Sequence, residues 1–261
     1  MNRLVITLCC LTLVLTACTE ESTPVEKSEK RERLVELTPA YKNAASYEKQ
    51  IQRIDSDQKL YEAKSLSYID NDGNIESVTA LVDSTLKFSK LIHYLTETDG
   101  RQVETNFYYK GSQLFSSVQT TKKFMNNTTF SREEKVYYDA KSEVVYTAQR
   151  KASGENDILF SPYSKAENRM HNPTKTLDII NQNGKFQTNF LGFNESRDKI
   201  FLNVGTEYYN SSVVVGSYFG LLKTLKNYEK NYLNKPLKIE FKEVTELDGF
   251  TYQALLNIKL R

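Results

Sequence analysis

His93 and His171 are the only imidazoles among 261 residues, so proton transfer near neutral pH would have to be built on one of them. Neither has a second histidine at ligand spacing, and catalysis would require the fold to bring up a serine and a carboxylate. His93 alternates out of phase with Ile92 and Tyr94, which predicts the polar side of a strand, and His171 falls in an irregular stretch. Both are expected to be structural or solvent-exposed. Glu133-Glu134 are adjacent rather than opposed, so they give no acid–base pair and suit a solvated turn. In Asp70-Asn71-Asp72-Gly73 the oxygen-rich run has the look of a calcium loop. Aligning Gly73 with that loop's glycine puts Tyr68 at the first ligand and Thr79 at the last, so both terminal carboxylates are missing and a hairpin turn explains the residues. Gly216-Ser217-Tyr218-Phe219-Gly220 stands where a strand meets a helix, but Gly216 adjoins Ser217 and no Gly-Lys follows, unlike a nucleophile elbow or a phosphate loop. These residues assign no catalytic, metal-binding or cofactor-binding site.

The elements around them are predominantly strands, so the expected fold class is α+β, mainly β. Ala40, Ala44, Tyr47, Ile51 and Ile54 recur at helical spacing after Pro39 and predict a leading amphipathic helix that packs on a sheet. Tyr61 to Ile69, Ile75 to Val82, Leu86 to Tyr94, Val103 to Tyr109 and Leu114 to Val118 alternate between short turns, as an antiparallel meander with one solvated face does; Glu104, Asn106 and Lys110 fit that face. Asn106-Phe107-Tyr108-Tyr109-Lys110-Gly111 is echoed by Lys135-Val136-Tyr137-Tyr138-Asp139-Ala140, which hairpin following hairpin explains without a repeat. The 17 Tyr and 13 Phe, with no Trp, suit a half-buried sheet.

Periodicity is lost over 151–184, the expected connector between a helix-plus-meander lobe, 39–150, and a smaller lobe, 185–261. The second lobe predicts three strands (Lys185 to Phe193, Lys199 to Val204, Ser212 to Tyr218), a helix ended by Pro236, and two strands, Leu237 to Thr245 and Phe250 to Leu260. That order fits an OB-like barrel and equally a sheet covered by one helix.

Ahead of these lobes, Arg3 precedes an apolar run from Leu4 to Leu15, too short to span a bilayer, which closes on Leu15-Thr16-Ala17-Cys18. Residues 1–17 read as a cleaved signal peptide. The Leu-x-Ala-Cys ending resembles the lipobox of bacterial lipoproteins. That resemblance covers only about the first 21 residues, and it implies diacylglycerol transfer to the Cys18 thiol, cleavage before Cys18 and acylation of the new amino terminus, with acyl chains such as palmitate. Residues 18–38 are rich in Glu, Lys and Arg, and read as a tether with a root-mean-square span of about 25 Å. Glu20-Glu21 is similar to the acidic tag of some surface-displayed lipoproteins. Thr19 stands where many inner-membrane lipoproteins carry Asp, which favours the outer membrane, on its periplasmic or surface face.

The other two cysteines, Cys9 and Cys10, lie in the leader, so the mature chain has no disulfide framework and no thiolate metal site. With 35 basic and 33 acidic side chains, the chain has no surplus suited to nucleic acid. The sequence therefore predicts a lipid-anchored envelope protein acting as a non-enzymatic binding or protein-interaction module. Its membrane contact is through Cys18, and its partner is an envelope protein, a glycan or a hydrophobic ligand in a pocket lined by Phe107, Phe115 and Phe124. A hydrolase assembled only by the fold, and a structural subunit of an envelope complex, are the alternatives.

Overall fold

The computed structural model describes residues 41–154, 157–196 and 198–261, which fall in one compact unit. Cys18, the leader and the tether lie outside the described residues. Helix α1 (Ala44–Asp55) leads, followed by β1 (Tyr61–Lys64), β2 (Tyr68–Asp70), β3 (Ile75–Val82), β4 (Phe88–Thr96), β5 (Gln102–Lys110), β6 (Gln113–Met125), β7 (Thr128–Tyr138), β8 (Val144–Ser153) and the two-residue β9 (Ser164–Lys165). From β2 to β9 each strand pairs antiparallel with the next, while β1 lies beside β3 ahead of β2. This is the expected meander, within a mainly β fold with few helices. Between β8 and β9 a 3-10 turn spans Asp157–Phe160.

Five of the turns share one pattern. Asp70, Asp83, Glu97, Asp139 and Glu246 each accept, through the main-chain carbonyl, the N–H of the residue three places on, and that residue has positive φ: Gly73, Leu86, Gly100, Ser142 and Gly249. Hydrogen bonds from the Glu143 and Lys141 N–H groups hold the Asp139 carboxyl below the usual carboxylate range. A four-residue turn of this kind fixes register locally, which is why alternation and turn residues sufficed to place the strands.

Both sheet faces carry a packed segment, so only part of one face is the solvated side expected of the meander. Over one face lies α1, whose Ala44 and Ile51 are buried, packed among Tyr108, Phe115, Tyr137 and Tyr146. Glu48 holds Lys135 and Tyr137, and Asp55 holds Lys90 and Tyr108. Opposite runs a strap that includes α2 (Thr174–Asn181), a helix within the span expected to be irregular, followed by a 3-10 turn at Gly184–Phe186. Thr105 through Tyr108 are consequently all buried, Asn106 included, and only part of the polar side predicted from Glu104, Asn106 and Lys110 meets solvent.

After the strap come β10 (Asn189–Ser196), β11 (Lys199–Gly205), β12 (Tyr209–Val215), α3 (Gly220–Asn227), α4 (Glu229–Tyr232), β13 (Leu237–Thr245) and β14 (Thr251–Leu260). They pair in the order β10-β11-β12-β14-β13, with β12 and β14 parallel at Val214 and Ala254. An isolated bridge between Asn189 and Pro236 returns β13 to β10. This ring, with its helices between the third and fourth strands, follows the OB-like order. It is not a separate lobe: β12 also pairs with β2 at Tyr209–Asp70 and Asn210–Ile69, and one core joins Leu91, Phe107 and Val136 to Leu202, Val213 and Leu237. The reason is burial, since the strap face of the meander and the inner face of the ring cover one another. Among the described residues no helix is long and apolar enough to cross a membrane.

Leu86 is 77% exposed at φ 62°, so Leu86→Gly relieves left-handed strain without losing packing and should raise stability by about 1 kcal/mol in denaturant unfolding. Gly205 is the reverse case. A Cβ there would lie 2.1 Å from the Tyr209 carbonyl oxygen at φ +151°, so Gly205→Ala should cost more than about 2 kcal/mol. An unchanged midpoint for both variants would contradict this account of the turns.

Candidate functional site

Pairing register sets His93, Thr105, Gln119, Glu134 and Gln149 side by side on the strap face, a polar row across five strands. The two histidines engage this row from different elements. His93, on β4, is not exposed on a polar side: its Nε2 lies 3.0 Å from Oε2 of the buried Glu76 on β3. Lys175, from the first turn of α2, donates to Glu76 Oε1 at 2.6 Å, and the Tyr209 hydroxyl donates to the same oxygen at 3.3 Å. Burial opposes the Glu76 charge, but the His93 and Lys175 contacts outweigh it and hold the carboxyl below its ordinary value. Burial likewise opposes the Lys175 ammonium, and Glu76 overcomes it, so the Lys175 pKa is raised and the amine stays protonated. An ammonium held in this way is a structural cation, with no lone pair to act as base or nucleophile.

His171 is the more unexpected case. Its Nδ1 lies 3.0 Å from Ser117 Oγ on β6 and its Nε2 3.0 Å from Glu134 Oε1 on β7, which brings together a serine, a histidine and a carboxylate. Glu134 therefore sits within a strand with its side chain buried, not in the solvated turn expected for Glu133-Glu134. Desolvation lowers the His171 pKa, with Glu134 opposing, so the ring is neutral at pH 7. One assignment of hydrogens satisfies the network: Nε2–H donates to Glu134, and Nδ1 accepts from Ser117. The Tyr138 hydroxyl then donates to Ser117 Oγ at 2.9 Å and accepts from the His171 backbone N–H at 3.1 Å. Arg132 holds the other Glu134 oxygen at 2.6 Å. Ser117 has no exposed surface, and its oxygen is spent on His171 and Tyr138, so the cluster fastens the strap to the sheet and leaves no approach for an acyl group.

On the helix face the geometry is open. A groove of about 490 Å³ is floored by the cross-strand row Tyr94, Glu104, Thr120 and Glu133, with Gln102 beside it and Leu159 of the 3-10 turn as one wall. Glu133 is fixed by Arg150 at 3.0 Å and by the Tyr163 hydroxyl, whose pKa burial and then Glu133 push upward. Asn106 donates to Glu104 at 2.7 Å, while its own carbonyl oxygen is buried without a partner among the described residues. Carboxylate, amide and hydroxyl groups beside a 39%-exposed tyrosine ring can hold a ligand carrying several hydroxyl or amide donors.

The phenylalanines expected to line one hydrophobic pocket are dispersed. Phe107 fills the main core, Phe115 packs under α1, and Phe124 is exposed. Asp70 to Gly73 form the β2–β3 turn, where Asp70 Oδ1 accepts the Asp72 and Asn74 N–H groups. Ser217 is exposed between β12 and α3. The buried Ser117 and Glu76 had no signal in local sequence, because cross-strand register and the strap bring their partners over 17 to 133 residues. No protein-family model, no curated protein and no solved structure matches this chain.

An unfolded histidine titrates near pH 6.5 and native His171 lower, so between those values the unfolded chain takes up a proton that the native chain does not. Its contribution to stability is complete above about pH 6.5 and fades as pH falls through the native value. Wild-type stability should therefore drop from pH 7 to 5. His171→Gln should be less stable by roughly 1–3 kcal/mol at pH 8 yet show a shallower slope over that window. Parallel slopes for the two proteins would remove His171 from the account.

Proposed function

We propose that the chain is a lipid-anchored envelope protein, joined to the membrane through Cys18, that works as a non-enzymatic binding module for a hydroxyl-rich ligand of glycan type. The observation that carries the reading is the contrast between the two sides of the sheet. The only serine–histidine–carboxylate set among the described residues is sealed, whereas the row Tyr94, Glu104, Thr120 and Glu133 floors an open groove. Sugars present hydroxyl donors to carboxylate and amide acceptors and an apolar ring face to tyrosine, which is the chemistry this floor offers. The residues reserved for lipid and tether keep the groove at the envelope without taking part in recognition.

Two measurements test the two halves separately. In cells fed a labelled fatty acid, the wild-type chain should become labelled and the Cys18→Ser variant should not; equal labelling, or none in either, would remove the anchor. For the groove, titration with soluble envelope oligosaccharides should give binding that Tyr94→Ala and Glu104→Gln each weaken about tenfold, the loss expected of one or two hydrogen-bonding or stacking contacts. If both variants bind as tightly as wild type, the groove is not the site.

A further inference from the structure

At the end of the meander away from the Tyr-Tyr turns, five large apolar side chains stand in solvent. The β6–β7 hairpin ends in Asn126-Asn127, both at positive φ as a two-residue type I′ turn requires. Phe124 and Met125 lead into that turn, 66% and 46% exposed, and Phe130 leaves it at 44%. Leu159 and Phe160, 56% and 68% exposed, are carried to the same end by the 3-10 turn, because the Gly154 N–H donates to the Thr129 carbonyl. Apolar exposure at this density marks an interaction surface.

Cations surround it. Lys122 and Lys123 precede Phe124, and a basic cavity of about 590 Å³ behind the tip is lined by Arg101, Lys123, Phe130, Arg132 and Lys151. Glu97, Asp99 and Glu134 pair with Arg101, Lys123 and Arg132, while Lys122 is exposed with no carboxylate within 4.0 Å among the described residues. The shape of the tip selects among partners. Lys123 faces Phe130 across the ladder and Phe124 faces Thr129, so the two phenylalanines project from opposite faces of the ribbon. A flat protein partner would cover one face. A ribbon that is apolar on both faces and basic just behind its tip suits a medium that surrounds it, with rings among acyl chains and headgroups and ammonium groups at phosphate level.

We infer that the β6–β7 hairpin tip, with the adjoining 3-10 turn, docks on a bilayer surface bearing anionic phospholipid headgroups. This contact is additional to the Cys18 anchor and does not depend on it. It would hold the domain edge-down on the membrane and fix how the groove is presented.

The absence of tryptophan allows a direct test. In the full chain, Phe124→Trp places a single indole at the tip, and Leu247→Trp places one in the exposed β13–β14 turn as reference. With vesicles of phosphatidylcholine and phosphatidylglycerol, the indole at position 124 should shift its emission to shorter wavelength and be quenched by brominated acyl chains, while that at 247 should not. Lys122→Gln and Lys123→Gln should each weaken vesicle partitioning about fivefold, and omitting phosphatidylglycerol should weaken it at least as much. The inference is overturned if position 124 stays aqueous. It is also overturned if both positions respond equally, or if the shift at 124 follows protein concentration without vesicles, which would signify self-association. Position 124 reports on the tip whether or not Cys18 is acylated, so failure of the anchor and failure of this contact give different results.

Discussion

Strand β12 is the constraint on which the other elements depend. Along its length it pairs with β11, at its start with β2 and near its end with β14, so one seven-residue strand belongs to both the meander and the ring. Where β2 and β14 part, backbone groups would be left without ladder partners, and the Gln253 amide fills the gap. Its oxygen accepts the Ser67 N–H at 3.0 Å and its nitrogen donates to the Ser65 carbonyl at 3.1 Å. An unpaired buried peptide group would cost on the order of 1–3 kcal/mol, so this one side chain makes the fork tolerable. The shared core follows from the fork, because the pairing at β12 turns the ring's apolar interior toward the strap face of the meander.

The strap is held by charge as well as by apolar packing. Ile179 is fully buried, but the strap's placement across the sheet comes from Lys175 on Glu76 and His171 on Glu134, two carboxylates on strands at opposite sides of the meander. Buried carboxylates are costly unless paired, and if the strap lifted Glu76 would keep only His93 and Tyr209, and Glu134 only Arg132. Residues that resemble catalytic machinery are thereby committed to holding one segment in register, and chemistry open to solvent is left to the opposite face. The same sheet supplies both arrangements, because successive residues of a strand face opposite sides: Glu134 points to the strap and Glu133 to the groove.

Local structure was legible in the sequence to the extent that it is local. The leading helix, β3 and β13 occur where spacing and turn residues put them, since each is specified by its own apolar period and by its flanking turns. The succession of elements in the ring was visible for the same reason, while its closure, through the parallel pairing of β12 with β14, was left open between a barrel and a helix-covered sheet. What was not legible depends on partners distant in sequence. His93 was assigned to a polar side because alternation assumes one wet face, and the strap covers the face on which His93 meets Glu76. Helix α2 was lost among Asn, Pro and Gly residues, and only its packing on β3 and β4 gives Ile179 and Lys175 their roles. The groove could not be read at all, because its floor takes Tyr94, Glu104, Thr120 and Glu133 from four strands and assembles them only through register.

The way the sheet ends has a consequence for crowding. A sheet of 14 strands offers two long edges to neighbouring molecules, and an open edge is a template for pairing with another copy. Here β9 covers part of β8 for only two residues, Ser164 and Lys165, and then the chain turns away. At the other end, β10 begins under the segment that leads into β13, with hydrogen bonds from Phe190 N–H to the Lys235 carbonyl and from Leu237 N–H to the Thr188 carbonyl, both 2.9 Å. The first edge is thus capped only at Ala148 and Gln149 of the ten-residue β8, and the second is covered where β10 begins. Each of these contacts shortens the stretch of edge with which a second copy could pair.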